Sequence, residues 1–168
     1  TEKVLGLFAG DKGYQTPKVE VRAAVFREDR VLLVLEGRNE EWSLPGGWCD
    51  AGISLGKNAE KECMEEAGIA VTAQRLVTVQ NRSENDYKEV IPYEVYKCYV
   101  NCQTDWVGEV NDEGIEVVTD FKANPETKAA AFFPIDRLPL LSSGRVNEKS
   151  IRLCYEAYRS PQWETHFD

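Results

Sequence analysis

Apolar and polar positions along the chain follow two periods, and their order predicts a mixed α/β protein. Over residues 19–26, Val19, Val21, Ala23 and Val25 alternate with Glu20 and Arg22, the two-residue period of a half-buried strand. A polar turn at 27–30 leads into Val31, Leu32, Leu33, Val34 and Leu35, an unbroken apolar run suited to a central strand buried on both faces. A polar loop at 37–41 and a short extended segment at 41–44 follow. From Leu55 to Ala67 the period changes. No Pro intervenes, and Ala59, Cys63 and Ala67 recur every four residues, which gives a helix with one small apolar stripe. Ser54 is its predicted N-cap and Gly68 its C-terminal stop. Further strands are predicted over 71–79, 93–102 and 129–133, with a polar loop at 81–89. A last helix is predicted from Glu148 to Arg159, capped by Asn147, stapled by Val146 and Ile151, and buried along Ile151, Cys154, Tyr155 and Tyr158. Residues 104–127 carry the weakest pattern, in which 107–110 and 115–118 fit a hairpin around Asn111, Asp112, Glu113 and Gly114.

Chemistry enters on the acidic helix. Glu62, Glu65 and Glu66 stand at i, i+3 and i+4, so their Cβ atoms lie about 5–6 Å apart on one patch. Like charges at that spacing repel by a few tenths of a kcal/mol per pair, so folding alone gives no reason to gather them. A bound cation does. Carboxylate oxygens with no His beside them suit a hard ion, Mg²⁺ or Mn²⁺, which also accepts phosphate oxygens. The same residues fit a solvated acidic face, with Lys61 and Glu65 as an i,i+4 pair. Just upstream, Pro45, Gly46 and Gly47 permit close approach of a ligand and can turn a backbone carbonyl toward the same metal.

Length and charge narrow the picture. The 168 residues suit one domain with a real core, expected over 17–168, and 1–16 read as the tail of an upstream helical segment and linker. No apolar run is long enough to span a bilayer, and no secretory signal is visible. A net charge of −9 disfavours binding to a nucleic-acid backbone but leaves small phosphorylated substrates open, because a divalent metal supplies positive charge. The five cysteines show no C-x-x-C spacing, and Cys98 and Cys102 would stand about 13 Å apart along one strand face. Reduced thiols in a cytoplasmic protein are the expectation. His166 is the one histidine, so acid–base work is expected from carboxylates, lysine or tyrosine.

The segment from Leu44 to Ile69 resembles the Nudix box, GX5EX7REUXEEXGU, where U is a bulky apolar residue. Gly47 opens it, Glu62, Glu65, Glu66 and Gly68 match, and Ile69 takes the last apolar position. Two positions depart: Ile53 replaces the first glutamate and Lys61 the arginine. In the family those two form an ion pair tying loop to helix, so the loop anchor is open here. Phrases around Gly13 to Val19, Trp42 to Asp50, Asn124 to Thr127 ahead of Phe132 and Phe133, and Leu141 to Arg145 are similar to a bacterial branch named for ADP-ribose pyrophosphatase. That branch usually carries a small helical N-terminal domain and also includes CDP-choline pyrophosphatases.

The resemblance implies an α/β/α sandwich with a mixed β-sheet, and Mg²⁺- or Mn²⁺-dependent hydrolysis of a nucleoside diphosphate linked to another moiety, releasing a nucleoside monophosphate. It implies Glu62, Glu65, Glu66 and the Gly46 carbonyl as metal ligands. Glu126 would orient or deprotonate the attacking water, with Glu62 the alternative base. From the residues themselves, Trp42 and Trp48 are candidates to stack on a base, and Gly47 and Arg82 are further candidate substrate contacts, against the plainer readings of core packing for the tryptophans and a solvated loop for Arg82. A homodimer is expected from the resemblance. The rivals are CDP-choline hydrolysis, a catalytically silent nucleotide-binding module, and RNA end-processing, which the charge disfavours.

Overall fold

Strand β1 (Lys18–Arg27) lies at the centre of a mixed sheet in the computed structural model, which describes residues 13–88 and 90–168. The expected upstream segment falls largely outside the described residues. β1 runs parallel to β6 (Val95–Gln103) and turns through Arg27 and Arg30 into antiparallel β2 (Arg30–Glu36). Beyond that turn the hairpin splays, and β2 pairs with β3 (Trp42–Ser43) while β1 pairs with β4 (Gly46–Trp48). The chain between β3 and β4 therefore crosses from one strand to the other. That crossing delivers the Pro45-Gly46-Gly47 loop.

The remaining strands are β5 (Thr72–Asn81), β7 (Glu116–Val117), β8 (Thr127–Pro134) and β9 (His166–Phe167), giving the order β7-β8-β2-β1-β6-β5-β9. Strand alternation sends one set of side chains to each face. Val21, Ala23, Val25, Leu32, Val34 and Phe132 pack with Ala59, Cys63 and Ala67 of helix α1 (Leu55–Ala67). Ala24, Val31, Leu33, Tyr99 and Phe133 pack with Ile151, Cys154 and Ala157 of helix α2 (Glu148–Arg159). The result is the expected α/β/α sandwich, with its central strands buried on both faces.

Some expectations change. β1 is not half-buried, because Glu20 and Arg22 are 7 % and 3 % exposed while Val19 is 41 % exposed. These two charges pair with each other and face the α2 side, where neighbouring elements cover them. On α2, Ala157 takes the buried position expected of Tyr158, whose ring lies on Phe26 from the rim with centroids 5.1 Å apart. The hairpin in 107–118 reduces to one bridge, Val110 to Glu116, since Glu116 is drawn inward by Arg27 and Arg30 at 3.2 and 3.3 Å. The loop after β5 opens with a single 3-10 turn over Arg82–Glu84, capped by the Asn81 side chain. All five cysteines are free. Among the described residues no helix is long and apolar enough to cross a membrane.

Candidate active site

The glycine loop and the acidic helix meet through backbone geometry. The Ser54 hydroxyl caps α1 by accepting from the Lys57 amide, and Gly68 ends the helix at φ +67°. Ahead of the helix, Ala23 N–H donates to the Pro45 carbonyl at 2.8 Å and Cys49 N–H to the Val19 carbonyl at 2.9 Å. These bonds assign alternate residues of the loop to the β1 ladder, so Gly46 presents its N–H and carbonyl to the opposite edge. The Gly46 amide there donates to Glu66 Oε2 at 2.8 Å. Only glycine serves at this position, since φ is +157° and a Cβ would stand 2.1 Å from the Val21 carbonyl oxygen. At Gly47 a Cβ would meet Glu62 Oε1 at 3.1 Å. Two successive glycines thus lie against two of the glutamates.

Burial pushes the Glu66 carboxyl up to about 7, against the pull of the Gly46 amide and Arg22. Burial also raises Glu62, with Lys61 opposing and Glu65 adding to the rise. The Lys61 ammonium lies 2.9 Å from Glu65, 3.2 Å from Asp50 and 4.0 Å from Glu62, and the first two bonds raise it. Among the described residues no three acidic, His or Cys side chains already converge as a closed metal shell. The donor chemistry nonetheless fits a hard divalent cation: all side-chain donors are oxygens, and burial disfavours the charged forms of Glu62 and Glu66 until a cation compensates them.

A cleft of about 300 Å³ lies beside this patch, lined by Glu65, Glu66, Asn124, Pro125 and Glu126. Asn124 builds its far wall. Its Oδ1 accepts from the Glu126 and Thr127 amides at 2.9 Å each, its Nδ2 donates to the Glu65 carbonyl at 3.3 Å, and the Gly37 amide donates to the Glu126 carbonyl at 2.8 Å. A turn some sixty residues beyond the helix is thereby docked on it, bringing Glu126 to Glu65 and Glu66.

Trp42, Trp48 and Arg82 are not among the residues lining this cleft. Trp42 packs edge-on to Phe133 at 4.6 Å on the α2 side. Trp48 is 46 % exposed and meets Tyr93 at 6.0 Å, with the Lys18 ammonium over both rings. Arg82 is buried, donates to the Gly144 carbonyl at 3.3 Å and lies over the Tyr87 ring.

Residues that the sequence pattern did not single out support the loop from below. Arg22 donates to Ser43 Oγ at 3.1 Å and the Leu44 carbonyl at 3.0 Å, and pairs with Glu20. Lys97, fully buried, donates to Glu20 at 2.9 Å. Burial pushes Lys97 down to about 7, with Arg22 adding and Glu20 opposing. Burial pushes Glu20 the other way, up, but Arg22 and Lys97 outweigh it and hold Glu20 below its ordinary range. The readable signal was the opposite charge of Glu20 and Arg22 on one strand face.

With this geometry, the chain belongs to the Nudix family: the NUDIX domain model matches residues 16–154. It is a pyrophosphohydrolase of that family, whose members act on small nucleotide substrates with divalent metal ions. YjhB from Bacillus subtilis (strain 168), whose name gives ADP-ribose pyrophosphatase as a provisional activity, is 41 % identical over 168 residues, covering 99 % of this chain and 74 % of the relative. The crystal structure of an ADP-ribose pyrophosphatase from Streptococcus suis 89-1591 is 42 % identical with a TM-score of 0.76, covering 91 % of this chain and all of that one. A UDP-X diphosphatase structure is 27 % identical with a TM-score of 0.78, covering 99 % of this chain and 74 % of that one.

Proposed function

We propose that the chain hydrolyses ADP-ribose or a close analogue, breaking the pyrophosphate bond to release AMP and a sugar phosphate. The cleft that joins Glu126 to Glu65 and Glu66 carries this reading, because it offers room for a diphosphate beside carboxylates on two elements. The choice of ADP-ribose rests on the 42 % identity to the Streptococcus suis enzyme. Glu62, Glu65 and Glu66, with the Gly46 carbonyl, would hold Mg²⁺ or Mn²⁺. When bound, such an ion neutralises the diphosphate and lowers the pKa of coordinated water.

The remaining work falls to the chain's own side chains. Glu126 takes a proton from the attacking water, whose oxygen bonds to phosphorus as the bridging P–O bond breaks and its electron pair leaves on the other phosphate. Glu62 is the second candidate for that proton. Gly47 lets the diphosphate approach the backbone closely. Trp48, exposed beside Lys18 and Tyr93, is available to a base or sugar. Trp42 and Arg82 act at a distance from the cleft, through packing. A homodimer in the cytoplasm completes the proposal.

A UDP-linked substrate is the second reading, favoured by the UDP-X diphosphatase match over nearly the whole chain. A panel of ADP-ribose, UDP-sugars, CDP-choline and nucleoside triphosphates, with Mg²⁺ and with Glu65→Gln as control, decides between them. Monophosphate release from ADP-ribose that the substitution abolishes is the expected result. Preference for a UDP-sugar or CDP-choline would reassign the substrate, and silence on all of them in the intact chain would overturn the hydrolytic reading.

A further inference from the structure

The Glu–Arg ion pair that the resemblance implies between loop and helix is altered here, because Ile53 stands in place of the glutamate and Lys61 in place of the arginine. Ile53 is 44 % exposed, and the remaining charged tie runs from Lys61 to Asp50 at 3.2 Å, between exposed side chains and shared with Glu65. The loop is nevertheless held. Asn58, in the first turns of α1, is 2 % exposed, and its amide closes on both limbs of the turn at 50–54. Its Oδ1 accepts from the Asp50 amide at 2.8 Å, while Nδ2 lies 3.1, 3.4 and 3.5 Å from the Ser54, Ile53 and Asp50 carbonyl oxygens. An asparagine inside a helix weakens it, because its amide competes for nearby backbone groups. Here that competition supplies bonds the turn cannot make for itself.

We propose that Asn58 is the positioning residue that makes up for the altered ion pair, a buried tie beside the exposed Lys61–Asp50 contact, fixing the 47–54 loop against α1 so that Gly46 and Gly47 hold Glu66 and Glu62 in register. The proposal rests on the metal-dependent site described above. Its geometry runs in one line: the turn at 50–54 joins β4 to α1, and β4 carries both glycines that touch the glutamates. Because the anchor is uncharged, it holds the loop without dependence on salt, unlike an exposed ion pair.

The test compares the intact chain with Asn58→Ala, Asn58→Asp, and Asn58→Ala combined with Ile53→Glu and Lys61→Arg, which reinstates the family's ion pair. Amide hydrogen exchange over 48–54, the Mn²⁺ dissociation constant by electron paramagnetic resonance, and kcat against KM are read for each. Asn58→Ala is expected to release protection at Asp50, weaken Mn²⁺ about tenfold, as loss of an outer-shell partner does, and lower kcat more than KM. Asn58→Asp keeps the acceptor for the Asp50 amide but loses the donors, so it moves the same way. The reinstated ion pair is expected to restore protection and Mn²⁺ affinity. Unchanged exchange, an unchanged Mn²⁺ constant, or no rescue would each overturn the proposal. Should Asn58→Ala fail to fold alone, folding of the triple variant supports the anchor and its failure overturns it. An intact chain that binds no Mn²⁺ would sink the functional reading, whereas the anchor is judged by exchange at 48–54.

Discussion

The Gly46 amide donates to Glu66 Oε2 across the junction of loop and helix, at 2.8 Å, and the same glycine stands against β1 where a Cβ would lie 2.1 Å from the Val21 carbonyl oxygen. A methyl group therefore cannot be added without moving the loop off β1, and Glu66 moves with it. Gly46→Ala is expected to lower kcat/KM by about 100-fold, the cost of a displacement near 1 Å in an active site. Steady-state kinetics with circular dichroism checks this. Near-native kinetics would show that the loop tolerates the shift.

The raised Glu66 carboxyl makes the metal-free protein pH-sensitive in a defined direction. Its folded pKa, about 7, exceeds the ordinary 4.5, so the folded state binds the proton more tightly than the unfolded one. That contribution to stability is complete below about 4.5 and is lost as pH rises through 7, at most about 3–4 kcal/mol for the cited shift. Urea denaturation in EDTA from pH 5 to 8, compared between the intact chain and Glu66→Gln, isolates it from other groups. The substituted chain is expected to lack the decline. Saturating Mg²⁺ is expected to flatten it in the intact chain, by compensating the charged form.

Glu126 is tied to the cleft by its backbone, through Asn124 and Gly37, which leaves its side chain free for chemistry. Glu126→Gln keeps those backbone bonds and removes only the basicity. A fall in kcat of about 100-fold or more, typical of a lost general base, is expected, with Mn²⁺ affinity within experimental error of the intact chain. If Mn²⁺ affinity falls in parallel with kcat, Glu126 is a ligand rather than a base. If neither changes, Glu62 is the base.

What the sequence disclosed follows from how far apart the partners lie. α1, its Ser54 cap and its Gly68 stop were legible because each depends on residues within one helix, and the glutamates because their spacing is contiguous. The expectation for Glu126 came only through resemblance, since no local pattern docks residues 124–126 on α1. The opposite charges of Glu20 and Arg22 on one strand face were legible but their burial was not, because Lys97 and the 43–44 segment that engage them lie elsewhere in the chain. Trp42 illustrates a different limit. Its ring suits a base or a core equally well, and Phe133, about ninety residues on, places it in the α2-side core. Asn58 lies close in sequence to all its partners, yet an isolated asparagine in a helix reads as a weak helix former and nothing more.

The same buried network yields an asymmetry between two substitutions. Glu20 is the carboxylate shared by Arg22 and Lys97, so Glu20→Gln leaves the Arg22 guanidinium buried against a neutral amide, while Lys97, without the carboxylate that opposes its fall, gives up its proton. Breaking a buried pair in this way costs about 3–5 kcal/mol. Lys97→Met instead removes a cation whose burial already pushes it toward neutrality, and leaves Glu20 with Arg22. The remaining carboxylate is then still compensated, and it is an uncompensated charge that makes the loss of one partner costly. Urea denaturation at pH 7 is therefore expected to show Glu20→Gln as the far more destabilised variant. Its effect should reach the active site as well, because Arg22 holds the Ser43 hydroxyl and the Leu44 carbonyl directly before the glycine loop. Equal losses from the two substitutions would mean that Lys97 is held as a cation and carries as much of the network as Glu20.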